Sequence, residues 1–438
     1  MPRLSVRTVS LRLVVVGWIG VSIGVSIGGI PGGQSPQTAI AQAPDAPLAS
    51  GELIAGGGAD DFLSVRHVVL RGPWSEIGRS LAALASEHGW KPRLADNPVP
   101  VRAQRAWLVN NYPAHVARMR GVAAFAGMRL DEDRAWLSTL SYGFARPGCS
   151  VVFFPPALTE SGQGMLSRNY DFTTGTFTGR QPTDAEIACT SRPYLLELHP
   201  TDGHASLSMC AYDLLGGVID GINSQGLTVA LMADDEIVER GLSKPAPGPQ
   251  PGLDVLQVGR ILLDTCASVE DAERLLRQID LYYSSIPCHY LVADRFGRSF
   301  VWENDVSMDK GHAIWGEPDE ALVATNFMLH LHANGDSLLA EPHPAGSFNR
   351  YRRVREQIAR SEGKLDDAEI RAVASCVAAS HPAPPEPWAP GRTLWHAVYI
   401  PSERSMSVDF YLGEETDATT GAPRVRRSGY KEFALKAE

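Results

Sequence analysis

The chain has 438 residues, of which 44% are apolar and 21% are charged, and its formal net charge is −10. This length and composition are typical of a globular protein with one large or two ordinary domains. The acidic balance argues against nucleic-acid binding, because such a surface repels a phosphate backbone.

The N-terminus has the features of an export signal. Three arginines lie within the first twelve residues, Leu13 to Ile30 is uncharged and mostly apolar, and Ala41-Gln42-Ala43 offers a cleavage site of small residues. We therefore expect residues 1–43 to be a signal peptide and the protein to be periplasmic or extracellular. The alternative is a membrane anchor formed by residues 13–30, since this stretch is long enough to span a bilayer.

The segment before Cys149 is predicted to be largely helical. Residues 44–62 are rich in alanine, proline and glycine and are predicted to be disordered. A strand is predicted for Val65 to Leu70, and apolar residues at helical spacing from Ile77 to Leu84 predict a helix. A second helix is predicted to begin at Pro113.

Beyond Cys149 the pattern changes to short β-rich runs separated by glycine, proline and aspartate. The predicted strands are 149–154, 164–169, 194–199, 205–210, a strand–turn–strand over 218–232, a hairpin over 289–303, and a final pair at 396–400 and 407–412. The predicted helices are 253–263, one capped by Ser268, and the pair 351–361 and 367–378. This order indicates an α+β layered body rather than a βαβ repeat.

None of the six cysteines forms a CxxC pair, which argues against a zinc finger or a thioredoxin-type site. Export would permit disulfides, and Cys189 and Cys210 flank a predicted hairpin. Each cysteine other than Cys149 is equally typical of a small buried hydrophobe.

Cys149, which follows Gly148, is the residue that most strongly suggests chemistry. A cysteine thiol has a pKa of about 8.5 and is mostly protonated at neutral pH. If the Gly148–Cys149 bond were cut, the new α-amine, with a pKa of about 7.7–8.0, could accept the thiol proton within one residue. Gly148 suits such a cut, because a residue without Cβ lets the thiol approach the carbonyl. On composition alone, an ordinary buried cysteine at a strand start is the simpler interpretation.

The segment Gly148-Cys149-Ser150, followed by Ser167-Arg168-Asn169-Tyr170-Asp171, resembles the choloylglycine hydrolase and penicillin acyltransferase group of N-terminal-nucleophile (Ntn) hydrolases. Similar motifs follow in the same order: Asp220 to Leu227, Leu262 to Ala272, His289 to Asp294, Ala324 to Phe327, and Asn349 to Tyr351. The likeness extends from Cys149 to about Leu412. The stretches Gly72 to Gly78 and Gly121 to Gly127 resemble the pro-segment of the acyltransferase branch. Each fragment is weak alone, but their joint order is specific.

The resemblance implies a four-layer αββα sandwich, the Ntn-hydrolase fold, with an N-terminal helical pro-segment. It divides the chain into a signal peptide at 1–43, a pro-segment or small fragment at 44–148, and a catalytic domain at 149–438. The two self-cleaved fragments would stay associated, and the sequence leaves a homo-oligomer open. The implied substrate is an N-acylated small molecule, and the chemistry requires no cofactor and no metal.

The resemblance also implies a role for each of five residues. Cys149 would be the nucleophile that forms a thioester, and Arg168 would favour its thiolate. Asp171 would hold the new α-amine, Asn326 would donate to the oxyanion, and Arg350 would support the thiol and Asn326.

Two features of the sequence qualify these assignments. Arg352 and Arg353 lie close enough to Arg350 for a register error. The position near Met232 or Ala233, where the related hydrolases have a polar or aromatic residue, offers no side-chain donor and only a backbone N–H. This departure argues against a narrow bile-salt or penicillin V specificity.

Two other motifs have simpler explanations. His330-Leu331-His332 has metal-ligand spacing, but no third ligand is obviously paired with it. Asp234-Asp235-Glu236 is typical of a solvated loop.

Two other hypotheses remain open. A papain-like thiol hydrolase would use a histidine such as His289 or His396 as its base and would leave the chain uncut. An inactive exported binding protein on the same scaffold would bind its ligand equally well with alanine at position 149.

Overall fold

The computed structural model describes residues 51–142, 148–176, 180–182, 190–241, 244–305, 310–332, 346–380, 387–417, 419, 421 and 423–436. The chain divides into the units Met1–Gln42 and Ala43–Glu438, and the first lies outside the described residues together with the predicted signal peptide. No helix within the described ranges combines the length and the apolar character needed to cross a membrane.

The strands in chain order are β1 (Glu52–Gly56), β2 (Ser64–Gly72), β3 (Arg93–Leu94), β4 (Ala135–Trp136), β5 (Gly148–Phe154), β6 (Met165–Thr173), β7 (Tyr194–Pro200), β8 (Ser206–Cys210), β9 (Asp220–Asn223), β10 (Thr228–Ala233), β11 (Leu253–Asp254), β12 (Leu281–Tyr282), β13 (Cys288–Ala293), β14 (Ser299–Asn304), β15 (Gly311–Trp315), β16 (Leu322–Ala324), β17 (Gly391–Ile400), β18 (Ser405–Thr416), β19 (Pro423–Arg427) and β20 (Lys431–Ala434). The helices are α1 (Trp74–Glu87), α2 (Pro98–Asn111), α3 (Pro113–Phe125), α4 (Asp235–Glu239), α5 (Val258–Thr265), α6 (Val269–Leu276), α7 (Ser347–Arg360) and α8 (Asp367–Ser375).

Two large sheets form the body. The larger has nine strands in the order β1-β2-β7-β8-β9-β10-β13-β14-β15, and the smaller has the order β16-β5-β6-β17-β18-β19, with β20 also paired to β18. The described strand pairs are antiparallel, except that β2 pairs with β7 and β11 with β12 in parallel.

The sheets face each other and carry helices on their outer faces. One apolar cluster lies between the sheets and includes Met232 from the larger sheet and Trp395 from the smaller. A second cluster packs α1, α3, α5 and α6 on the larger sheet, and a third packs α7 and α8 on the smaller. This arrangement is the predicted four-layer αββα sandwich, which is confirmed.

Strand periodicity places the site between the sheets. In β5, Cys149 and Val151 point into the cluster between the sheets, while Val152 points toward α7 and α8. In β6, Tyr170 shares this inner layer. Cys149 lies opposite Tyr170 and Val151 opposite Arg168 in the antiparallel register, so the Arg168 side chain enters the same layer.

The segment before Cys149 is part of the sandwich. Strand β2 pairs along its length with β7, and β1 adds to the edge of the same sheet. The predicted disorder of residues 44–62 is therefore wrong at Glu52–Gly56. An edge strand forms through main-chain hydrogen bonds, which the side-chain pattern does not report.

Other local predictions have mixed outcomes. The hairpins β9–β10 and β13–β14 and the pair β17–β18 are confirmed, and Ser268 caps α6 by accepting a hydrogen bond from Asp271 N–H. The helix predicted at 253–263 begins later, at Val258. Asp254 instead ends β11 and caps a 3₁₀ turn that precedes α5.

Candidate active site

Cys149 is the second residue of β5 and is fully buried, at 0% exposure. Its backbone N–H donates to Asn326 Oδ1 at 2.7 Å. Its sulfur lies 3.6 Å from Arg168 Nη2. The thiol therefore meets a cation, and the nitrogen of the same residue is held by an amide oxygen.

Arg168, on β6, is held from several sides. Its Nη2 also donates to the carbonyl oxygen of Leu231 at 3.0 Å, and its Nε lies 2.8 Å from Asp220 Oδ2. The guanidinium carbon lies 4.7 Å from the centre of the Tyr170 ring. These contacts hold the guanidinium beside the sulfur. The carboxylate of Asp220 balances its positive charge, because a buried cation without a partner would be costly.

Asp220, at the start of β9, is the residue that sequence reasoning missed. The sequence identified Asp220 only as the beginning of a hairpin motif. The signal that could have revealed its role is a carboxylate at the start of a fully buried strand, which requires a partner. Tyr399 OH and Trp395 Nε1 donate to its two oxygens, the latter at 3.1 Å. Burial raises the pKa of Asp220, and the charge of Arg168 opposes that rise.

Asp171 lies beside the junction at Gly148, opposite it in the β5–β6 register. A methyl group built on Gly148 would lie 3.4 Å from Asp171 Cβ and 4.0 Å from its Oδ2. Thr393 Oγ1 donates to Asp171 Oδ1 at 2.5 Å. Burial raises the pKa of Asp171, while Arg350 and Thr393 oppose the rise.

Asn326 and Arg350 reach Cys149 from the other side. Asn326 follows β16, and its Oδ1 accepts from Arg350 Nη2 at 2.7 Å as well as from Cys149 N–H. Arg350, in the first turn of α7, also donates to the carbonyl oxygen of Cys149 and to Ser150 Oγ, the latter at 2.9 Å. Arg352 and Arg353 are exposed on the same helix. The five residues singled out from the sequence thus lie in one cluster.

The orientation of Asn326 does not match an oxyanion donor directly. Its Nδ2 donates to the carbonyl oxygen of Ala233 at 2.8 Å, while its oxygen faces Cys149. Donation to an oxyanion by Asn326 stays a prediction.

The Cys149 thiol is not acidified by its surroundings alone. Burial raises its pKa above the ordinary value, and Asp171 adds to the rise. Arg168, Arg350 and a hydrogen bond from the Ala233 backbone lower it only in part. The thiol is therefore protonated at neutral pH, and its reaction needs a base within reach.

The histidines considered as bases lie elsewhere. His289 Nε2 bonds to the carbonyl oxygen of Thr325 at 2.6 Å. His396 Nε2 bonds to Ser167 Oγ at 2.9 Å, and its Nδ1 bonds to Tyr430 OH at 2.5 Å. Among the residues that the structure describes, no histidine hydrogen-bonds to Cys149.

Metal-ligating arrangements are not found within the described ranges, where no group of three histidine, cysteine or acidic side chains could hold an ion. His330 instead pairs with Glu303, and His332 pairs with Glu236.

The cysteines are also accounted for, in part. The five described cysteines are free, and Cys189, suggested to approach Cys210, lies outside the described residues.

The prediction of a solvated loop at 234–236 is wrong. Asp234 is 2% exposed and Glu236 is 8% exposed. The run starts helix α4, and its side chains cap backbone N–H groups, as Asp234 Oδ1 does for Ile237 at 3.3 Å. Hydrogen bonds of this kind let carboxylates be buried.

Residues 158–416 match the family model for acyl-coenzyme A:6-aminopenicillanic acid acyl-transferase. The match covers more than half of the chain and includes Arg168, Asp171, Asn326 and Arg350, whereas Cys149 lies just before its first residue. In a search by sequence, no curated protein matches the chain.

Several solved structures are similar to this chain. A mutant of conjugated bile acid hydrolase from Clostridium perfringens shares 15% identity over 66% of this chain and 97% of that chain, with a TM-score of 0.43. Penicillin V acylase from Agrobacterium tumefaciens shares 18% identity over 63% and 84% of the two chains, with a TM-score of 0.38. The N-acylethanolamine-hydrolyzing acid amidase ortholog of Caenorhabditis elegans shares 17% identity over 58% and 93%, with a TM-score of 0.33.

Proposed function

The chain belongs to the acyl-coenzyme A:6-aminopenicillanic acid acyl-transferase family, and we propose that it cleaves the amide bond of an N-acylated small molecule through a Cys149 thioester. One observation carries the proposal. The Cys149 sulfur lies 3.6 Å from Arg168 Nη2, while Asn326 holds the nitrogen of Cys149 at 2.7 Å. A nucleophile, a cation and an acceptor for the nitrogen of the same residue are what a cysteine that becomes a chain terminus requires.

The proposal includes self-cleavage between Gly148 and Cys149. The thiol attacks the Gly148 carbonyl carbon, the bond to the Cys149 nitrogen breaks, and the acyl group passes to sulfur as the α-amine takes up the proton. Water then hydrolyses this thioester, which leaves a Gly148 carboxylate and a free thiol. Once the bond is cut, the freed α-amine supplies the base that the raised pKa of the Cys149 thiol requires in turnover, because neither His289 nor His396 hydrogen-bonds to this thiol.

In turnover the α-amine takes the thiol proton and the thiolate attacks the substrate carbonyl, with Arg168 stabilising the thiolate charge. The tetrahedral intermediate expels the amine, which takes its proton from the α-ammonium, and a thioester remains. Water or a second amine then takes the acyl group and loses a proton to the α-amine. Asp171 holds the ammonium beside the former position of Gly148.

Two donors are suited to the oxyanion. The backbone of Ala233 already hydrogen-bonds to the Cys149 thiol. Asn326 would turn its Nδ2 from the Ala233 carbonyl toward the substrate oxygen. One such donor is typically worth about 3–4 kcal/mol of transition-state stabilisation.

The proposal places the enzyme outside the cytoplasm, on the strength of the sequence pattern in residues 1–43. It also keeps the two fragments together after the cut. In support of this, β2 belongs to residues 44–148, here called the leader, and its residues Arg66–Gly72 pair with Tyr194–Pro200 of β7.

The proposal is tested by intact mass and N-terminal sequencing of the purified wild type, Cys149→Ala and Cys376→Ala. Cys376 is half-buried at the end of α8 and serves as the control thiol. We expect two fragments from the wild type and from Cys376→Ala, the second beginning at Cys149, and one uncut chain from Cys149→Ala. Hydrolysis of a panel of N-acyl aminocoumarin amides should be lost only in Cys149→Ala.

Two results would contradict the proposal. One is full amidase activity in a chain whose Gly148–Cys149 bond is intact, which favours the papain-like alternative. The other is a wild type without amidase activity that binds a ligand as well as Cys149→Ala does, which favours the binding protein.

A further inference from the structure

A buried carboxylate on the larger sheet holds the chain segment that follows Asn326. Glu303, on β14, is 0% exposed. It accepts hydrogen bonds from Leu329 N–H at 2.6 Å, from His330 N–H at 3.0 Å and from His330 Nδ1 at 2.6 Å. The two N–H groups begin the 3₁₀ turn Leu329–His332, so one side chain anchors the start of this turn.

A neighbouring strand holds the other side of Asn326. Tyr290 on β13 is opposite Trp302 on β14, so the antiparallel register places His289 next to Glu303. His289 Nε2 bonds to the carbonyl oxygen of Thr325, the residue before Asn326, at 2.6 Å. Two adjacent side chains of the larger sheet thus bracket a segment that ends a strand of the smaller sheet.

The backbone of Asn326 itself is also held on both sides. Its N–H donates to Ser347 Oγ at 2.7 Å, and its carbonyl accepts from Asp235 N–H at 3.1 Å. Ser347 precedes Arg350 by one helical turn, so the same contacts link Asn326 to the helix that carries Arg350. The bonds to Glu303 complete a set that leaves this backbone little freedom.

Burying a carboxyl group is costly unless hydrogen bonds compensate it. The compensating bonds of Glu303 come from the 329–330 backbone and from His330. The carboxylate and this segment are therefore fixed as one unit.

From this geometry we infer that Glu303 is a positioning residue for the proposed reaction, because it sets the place of Asn326 relative to Cys149. The inference rests on the proposed function. Asn326 Oδ1 contacts both the nucleophile's nitrogen and Arg350. A displacement of this amide by about 1 Å is of the size that costs about a hundredfold in rate.

The test compares Glu303→Gln with Glu197→Gln. Glutamine keeps the shape of Glu303. However, its NH₂ group would face a backbone N–H group and cannot accept a hydrogen bond from it. Glu197 is the matched control. It lies on β7 of the same sheet, accepts from His67 and His199 at 2.9 Å and 2.6 Å, and has no contact with the Asn326 segment.

We expect Glu303→Gln to lower kcat for amide hydrolysis by about tenfold or more, with KM changed less than about threefold, since the loss falls on transition-state stabilisation. Glu197→Gln should keep the wild-type kcat. In an Asn326→Ala background, Glu303→Gln should add little further loss, because residues that act through one another are not additive. A purely structural role predicts an unchanged kcat for the folded fraction and additive effects, and either result overturns the inference.

A second measurement needs no substrate. Hydrogen–deuterium exchange at the amides of residues 325–330 should be faster in Glu303→Gln than in the wild type or in Glu197→Gln. An inactive wild type would refute the proposed function and leave this measurement to decide the anchoring role. Unchanged exchange in this segment overturns the anchoring role.

Should Glu303→Gln fail to accumulate as folded protein, His330→Phe replaces it. This variant removes only the side-chain bond and keeps a ring to stack on His312, whose centroid lies 4.1 Å from that of His330. This variant should also lower kcat and speed hydrogen–deuterium exchange at residues 325–330, but by less than Glu303→Gln does. Wild-type values of both would overturn the inference.

Discussion

At the scale of single residues, the site is a chain of charges and hydrogen bonds that ends on Cys149. Arg168 faces the sulfur and is balanced by Asp220, while Arg350 faces the carbonyl oxygen of Cys149 and Asn326. The likeness of motifs gave roles to Cys149, Arg168 and Arg350, and also to Asn326, whereas it placed Asp220 only at the start of a turn motif. It gave no role to Asp220, because its partner is 52 residues away in the chain and is brought to it by the facing of two sheets.

Arg350→Lys tests the multiple contacts of this guanidinium. Lysine keeps the charge but cannot reach three acceptors in fixed directions, so the exchange is not conservative. We expect self-cleavage and amide hydrolysis to slow by at least about tenfold, or about 1.4 kcal/mol in activation free energy. Cleavage is measured by the mass of the fragments with time, and turnover by the release of aminocoumarin.

Arg352→Lys is the control for this prediction, because Arg352 is exposed on the same helix and contacts Asn349. It should behave as the wild type in both assays. An equal loss of activity in the two variants would contradict the assignment of Arg350, rather than Arg352, to the site.

At the scale of elements, glycines bring α1 and α3 of the leader into backbone contact. A Cβ on Gly121 would lie 1.9 Å from Ser75 O, and a Cβ on Gly78 would lie 2.1 Å from Arg118 O. Gly78 lies in α1 and Gly121 lies in α3. Their spacing in the sequence does not reveal a partner helix, since nothing in a single helix shows what its glycines approach.

Gly121→Ala should therefore force the two helices apart. Overpacking of this kind typically costs about 1–3 kcal/mol. We expect the free energy of unfolding to fall by about that amount, measured by urea denaturation in the Cys149→Ala background so that the chain stays in one piece.

Gly248→Ala is the matched control, because a Cβ at Gly248 meets no atom within 4 Å. Its midpoint should equal that of the parent. A neutral Gly121→Ala would contradict the close helix contact.

At the scale of the whole molecule, a buried ion network joins the residues before Cys149 to the residues after it. Arg118 of α3 and Arg260 of α5 bind the two oxygens of Asp264 at 2.7 Å and 2.8 Å, and Tyr112 OH donates to it at 2.5 Å. Burial alone would raise the pKa of Asp264, but Arg118 and Arg260 outweigh it and lower that pKa. The carboxylate therefore stays ionised at the junction of the two segments.

Asp264→Asn leaves two buried arginines without their shared counter-ion. Breaking a buried pair in this way typically costs about 3–5 kcal/mol. We expect that loss in the free energy of unfolding in the Cys149→Ala background, and in the wild-type background we expect the two fragments to separate at lower urea, as seen by size-exclusion chromatography.

Asp131→Asn is the control at this scale, because Asp131 pairs with Arg129 on the exposed surface of the same leader. Its unfolding midpoint should not move, as exposed pairs contribute little. Fragments of Asp264→Asn that stay together as firmly as those of the parent would show that the network does not join them.

The sequence by itself determined the main hairpins and most of the helices, and it singled out five residues that lie together at the candidate site. These features are local, since they follow from apolar periodicity, turn chemistry and short motifs, or from the likeness of such motifs to a known family. The tertiary structure decided which side chains pair across long stretches of chain, as in Arg168 with Asp220 and Glu303 with the turn after Asn326. It also decided that residues 52–56 form an edge strand and that Asp234 and Glu236 are buried. The physical reason is that pairing and burial depend on which surfaces pack together. The pattern along one segment does not indicate which distant segment will pack against it.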